Sequence, residues 1–247
     1  MTRLVRAELL KLRTTQVWFW LMLLTIAIGT LVVVATLATN SVHNGHDVHE
    51  MFSSAETSSV APFVLGLLGV TTEFRYQTIT STVLGTPSRW RLISAKVIAY
   101  GITALGYAIA CIGVELAIAI PWLNAKGIPY SWAGDHLPRV LSGVLVVDVL
   151  YATMGLGFGA LMRNQAVALP VGIIFITVIQ TILLAIPKVR YAFAYMPGGL
   201  VTSIVQGDKH SGDVTLLGPA AAVALLLAWA VVPAFVGART TLDRDIT

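Results

Sequence analysis

Residues 60–96 read VAPFVLGLLGVTTEFRYQTITSTVLGTPSRWRLISAK. Val60–Thr72 is mostly apolar and carries no charge, and it runs into a basic, Thr-rich segment broken by Pro87. That second part holds Glu73, Arg75, Arg89, Arg91 and Lys96. A helix needs about 20 mostly apolar residues to cross about 30 Å of hydrocarbon, and Val60–Thr72 has 13. Either it recruits Ser53–Ser59 and crosses, or it turns back as a re-entrant hairpin. The choice sets the number of spans and the side on which every later loop lies.

The rest of the chain points to a membrane. Of 247 residues, 56% are hydrophobic and 11% charged, and mean hydropathy is +0.81. Soluble domains carry roughly 25% charge, so this chain has too few charges to cover a water-facing surface. Five uncharged or nearly uncharged runs are long enough to cross: Trp18–Ala38, Val97–Pro121, Val140–Met162, Ala166–Ile186 and Val214–Gly237. If Val60–Thr72 also crosses, eleven Lys and Arg residues fall on one side and five on the other. If it does not, the first two basic clusters lie on opposite faces. The positive-inside rule therefore favours six spans with both termini cytoplasmic, in a plasma or inner membrane. The first apolar run is longer than a signal-peptide core and TLATN is a poor cleavage site, so it is expected to be retained.

The fold expected is a single all-α membrane domain over 1–247, with an amino-terminal segment 1–16 and a loop 73–96. In LVRAELLKLRTT, Val5, Leu9 and Leu12 share one helical face and Arg6 and Arg13 the other. That pattern fits a helix lying on the inner leaflet; it also fits a basic stop signal that only orients the chain. No repeat of fixed period stands out. The 16 basic residues sit scattered at span ends, which argues against nucleic-acid binding. Cys111 is the single cysteine, so no intrachain disulfide forms.

Several chemistries lack their residues. There is no G-x-x-x-x-G-K-[ST], H-E-x-x-H or C-x-x-C, and no nucleophile has a base and an orienting group beside it. The chain is not expected to be an enzyme, and no catalytic, cofactor or metal-ligating set is assigned. Gly155 and Gly159 lie inside an apolar run, so their G-x-x-x-G reads as close helix packing. In HNGHDVHE (43–50), His43, His46, Asp47 and Glu50 share a face if the segment is helical, a weak metal pattern. Asn44-Gly45 reads instead as a turn in a solvated outer loop.

Glu115 and Asp148 interrupt two apolar runs. Each lies roughly 9–12 Å below the outer surface at 1.5 Å per residue, and an ionised acid there costs about 2.5–3.5 kcal/mol on insertion scales. Adjacent antiparallel spans would bring them together or line one cavity with them. They either meet a polar or cationic group of a transported molecule or are neutralised by a proton and by neighbours such as Tyr107 and Tyr151.

Three stretches resemble ABC-2-type permeases, the membrane subunits of one class of ATP-binding-cassette exporters. They are Arg6–Arg13 (R-A-E-L-L-K-L-R) before a Trp-containing first span, Glu73–Ile79 (E-F-R-Y-Q-T-I), and Thr86–Arg89 (T-P-S-R) with Ala95-Lys96 entering the third span. The six-span layout extends the resemblance over the whole chain. Gln77 departs from the pattern, where the family often has Gly. The resemblance implies a separate ATPase subunit that binds ATP and Mg, and a second permease subunit, alike or different. It also implies a coupling helix over Gln77–Thr86 that sits in a cleft of the ATPase. Ile79, Val83 and Leu84 would be its apolar contacts and Pro87 its end; Glu73, Arg75, Arg89 and Arg91 would pair across the interface. The substrate expected is amphiphilic: a drug, lipid or peptide. Pro170, Pro219 and Pro233 are expected kink points, and 191–208 an outer helix or re-entrant pair over the exit. Two other classes stay open: a membrane sensor or immunity protein without an ATPase, and a proton-coupled secondary transporter using Glu115 and Asp148.

Overall fold

The computed structural model describes residues 1–39, 41–53, 59–77, 89–207, 210–211 and 214–242. They are mostly helical: α1 (Thr2–Thr14), α2 (Val17–Ala38), α3 (Gly45–Ser53), α4 (Val60–Arg75), α5 (Arg89–Lys126), α6 (Leu137–Met162) and α7 (Gln165–Ile174). A π-helical turn, Phe175–Ile179, leads into α8 (Gln180–Ala185). A 3₁₀ turn (Arg190–Tyr195), α9 (Pro197–Val205) and α10 (Pro219–Leu242) complete the helical set. His210–Ser211 and Val214–Thr215 pair as a small antiparallel ribbon. Among the described residues, five helices are long and apolar enough to cross a membrane: Val17–Ala38, Trp90–Lys126, Leu137–Met162, Gln165–Ala185 and Pro219–Gly237.

The helix bounds differ most from the apolar runs in α5 and in the last span. α5 extends from Arg89 to Lys126 and passes through Pro121, because Leu92, Ala95 and Lys96 continue its buried face below Val97. The last span starts at Pro219 rather than Val214, whose strand pairing ends the preceding loop. Pro219 is thus the first helical residue and not a kink; its missing N–H costs nothing there. Pro170 and Pro233 do lie inside helices.

α6 is the central element and packs against α4, α10 and α5. In lipid, apolar side chains gain little by leaving hydrocarbon for protein, so helices hold together through close backbone approach. The glycines of α6 supply it on two faces. Gly155 and Gly159 lie on the backbone oxygens of Phe63 and Leu67, and a Cβ at Gly159 would fall 2.7 Å from the latter. Gly157 abuts the backbone of Pro233–Ala234 in α10. The G-x-x-x-G is a packing motif, as its sequence position indicated.

That register also fixes α4. Phe63 matches Gly155 and Leu67 matches Gly159, so α4 runs parallel to the second half of α6. It begins beside the middle of α6 and ends level with its end. Its 16 residues span about 24 Å. By contrast, α2 is apolar all round and buries one stripe, Thr25, Gly29, Val33 and Leu37, leaving the rest of its surface exposed.

The bundle has two distinct ends. At one, α1, the end of α4, the start of α5 and the α6–α7 junction meet. At the other, the His49 ring of α3 bridges the carbonyl oxygens of Asp135 and Gln206, at 2.8 and 3.1 Å. α9 packs there on α6 and α10, with Leu200, Val201, Ile204 and Val205 buried. Gln180 fastens α9 to the π turn: its Nε2 donates to Phe175 O (3.3 Å) and its Oε1 accepts from the Gly198 N–H.

Candidate functional site

α1 uses the face expected from its sequence. Val5, Leu9 and Leu12 pack on Leu65, Ala99 and Tyr100, while Arg6 and Arg13 point outward. Glu8 belongs to the same packed face (5, 8, 9, 12) and is buried. Lys96 lies on the buried face of α5 beside Leu92, Ala95 and Ala99. Each charge would be costly alone; together with Lys11 and Glu73 they form a four-membered network. The Lys96 ammonium donates to Glu8 Oε2 (2.8 Å), Glu73 Oε1 (2.8 Å) and Gly69 O (3.3 Å). Lys11 donates to Glu8 Oε1 (2.8 Å) and Glu73 Oε1 (3.0 Å).

The set holds two acids and two bases, so its formal charge is zero and its protonation is mutually supported. Burial pushes the Glu8 carboxyl up, but the Lys96 charge and the hydrogen bonds from Lys11 and Lys96 outweigh it, and the group ends below its ordinary value. Burial pulls Lys11 down, yet its hydrogen bond to Glu8 and the charge of Glu73 leave it raised.

The residues expected to meet an ATPase separate into three groups. Glu73 is only 8% exposed and is engaged inside the chain. Arg75 is exposed and reaches Gln165 Oε1 at 3.4 Å. Arg91 is exposed on the first turn of α5. Ile79, Val83, Leu84 and Pro87 lie outside the described residues, and Arg89 is described in backbone alone, as the first residue of α5. Gln77 adopts φ 54°, the left-handed conformation that glycine adopts at no steric cost. The turn that Gly would make is therefore made by Gln.

Arg75 also lines a cavity of about 600 Å³ at the same end of the bundle. Phe74 and Arg75 form one wall; Arg163, Asn164, Gln165 and Leu169 form the other. Arg163 ends α6 with φ 54°, its N–H donating to Gly159 O at 3.0 Å. Asn164 then starts α7 by accepting from the Ala166 N–H at 3.0 Å, a side-chain N-cap.

Deep in the bundle, Glu115 and Asp148 are 1% and 0% exposed and within electrostatic reach of each other. Cys111 Sγ lies 3.2 Å from Glu115 Oε1. Glu115 Oε2 and both Asp148 oxygens have no hydrogen-bond partner among the described residues. Tyr107, a neighbour expected to serve them, donates its hydroxyl to Trp18 O instead.

The histidine segment 43–50 is arranged differently from a metal face. The helix starts at Gly45, so His43 is off it; the Asp47 carboxylate accepts from the His43 and Asn44 N–H groups, at 2.7 and 3.2 Å. No group of three His, Cys, Asp or Glu side chains comes together among the described residues. In comparisons with known proteins, no family model and no curated protein matches the chain.

Proposed function

We propose that this chain is the permease subunit of an ATP-binding-cassette exporter of the ABC-2 type. In this reading it crosses a plasma or inner membrane six times with both termini cytoplasmic. α4 belongs to the second of these crossings. A separate ATPase subunit binds and hydrolyses ATP with Mg, and a second permease subunit completes the pathway.

One observation carries the reading. Residues from each of the three stretches that resemble the family, Glu8 and Lys11 of Arg6–Arg13, Glu73 of Glu73–Ile79, and Lys96 of the stretch Thr86–Arg89 with Ala95-Lys96, form one network. Glu73 and Lys96 are the two stems of loop 73–96, so a push on that loop passes through the network to α1, α4 and α5 at once. The loop itself is the docking element for the ATPase, with Ile79 and Val83 as apolar contacts and exposed Arg91 as a charged one. Closure of the ATPase pair moves the loop, and the bundle alternates its access. Pro170, the π turn and Pro233 are the bending points. The substrate is amphiphilic, and α9 with the 3₁₀ turn caps its exit.

Co-purification in mild detergent with the genomic neighbours tests this. A stoichiometric ATPase should be retained by the native chain and lost in I79D/V83D, whose melting temperature stays unchanged. A stable, monodisperse chain that never retains an ATPase would overturn the exporter reading.

A second reading rests on Glu115 and Asp148, two buried acids whose Glu115 Oε2 and both Asp148 oxygens have no hydrogen-bond partner among the described residues: proton-coupled transport. It requires uptake or efflux in proteoliposomes that follows an imposed pH gradient without ATP and stops in D148N.

A further inference from the structure

We propose that the cavity between α4 and α7 binds the headgroup phosphate of an anionic phospholipid, with Arg75 and Arg163 as its ligands. Arg75 and Arg163 both line this space, and neither takes part in an ion pair among the described residues. Arg75 has only the amide oxygen of Gln165 and a stacking contact with Tyr76, 5.7 Å from the ring centroid. The cavity wall therefore carries two positive charges and no negative one. Guanidinium is the side chain best suited to grip a phosphate through paired N–H groups.

The backbone supports a role beyond helix ending. Arg163 occupies the left-handed position just after α6, where glycine is the common residue. A bulky side chain there is strained, and strain of this kind collects at ligand sites. An arginine there gives the cavity lining a charge that a glycine would not supply.

The apolar surroundings decide the source of the phosphate. Phe74 and Leu169 give the cavity a greasy side. One residue beyond Ala166 begins an exposed apolar stripe on α7, the π turn and α8: Val167, Val171, Ile174, Val178 and Ile182. It runs about 22 Å along the helix axis, enough to lay an acyl chain against the bundle below its headgroup. A free inorganic anion has no use for that track. This site stands whether or not the chain belongs to an exporter.

The test uses the full chain, delipidated in detergent and titrated with dioleoylphosphatidylglycerol, dioleoylphosphatidylcholine or sodium phosphate. Bound lipid is counted by native mass spectrometry and the melting temperature is followed. The native chain should prefer phosphatidylglycerol, and R75Q/R163Q should bind it at least about tenfold more weakly. R163G removes the charge while relieving the left-handed strain; it should melt no lower than the native chain and still lose the preference. R3Q/R6Q, which neutralises two exposed charges of α1, should keep it. Unchanged lipid preference in R163G, equal loss in R3Q/R6Q, or equal protection by sodium phosphate would each overturn the proposal.

Discussion

Glu8 and Lys96 are single charges on otherwise apolar helix faces, and neither is tolerable there without the other. Removing one partner leaves an uncompensated buried charge, which costs about 3–5 kcal/mol. Lys96→Met should therefore lower the melting temperature in detergent sharply, while Arg6→Met on the outward face of the same region should not. The network also sets an acid limit. Because the folded Glu8 carboxyl titrates below its ordinary value of 4.5, its contribution is complete above that value and is lost as pH falls through the lower folded one. Lys11 shifts upward from 10.5, so its share persists through neutral pH and disappears only above that value. Thermal melts from pH 3 to 7 should show an acid limb that is shallower in Glu8→Gln. The face of α1 was legible from Val5, Leu9 and Leu12, and Glu8 at i+3 was a readable signal on that face. Its partner was not, since nothing in sequence says which turn of α5 lies opposite.

At the level of elements, contact distance between α4 and α6 is set by glycine. Gly159→Val would drive a branched side chain into the Leu67 carbonyl oxygen and should cost at least about 1–3 kcal/mol as an overpacked contact. Gly106 and Gly113 of α5 have nothing within 4 Å of a built Cβ. Alanine at either should be neutral or stabilising by about 0.5–1 kcal/mol, through reduced backbone freedom. Detergent melts of the three variants separate packing glycines from incidental ones. Hydropathy found the five long helices because lipid demands a continuous apolar surface. It misjudged their ends: α5 continues past its apolar run because neighbours satisfy Lys96, and the last span starts late because Val214 pairs in a ribbon. The parallel register of α4 on α6 could not be read from composition; only the packed glycines reveal it.

The whole molecule has a polar, ion-bridged end and an opposite end sealed by α3, α9 and the His49 bridge. In membrane vesicles, a thiol reagent that cannot cross the bilayer should reach a cysteine placed at exposed Arg91 from the cytoplasmic side alone, and one placed at exposed Trp132 from the other side alone. The same side for both would overturn the proposed orientation. Eleven basic residues against five are the sequence basis for that proposed orientation, whereas partner and substrate leave no such trace in one chain. Lys96 and Glu115 lie on one uninterrupted helix, α5, with no proline between them. They are 19 residues apart, or about 28 Å along its axis. A helix of that length behaves as a stiff rod, so the clamp at one end and the buried acid near the other cannot move separately. A tilt of about ten degrees about either point swings the other by about 5 Å, making α5 a lever that converts a nudge outside the bilayer into a displacement deep within it.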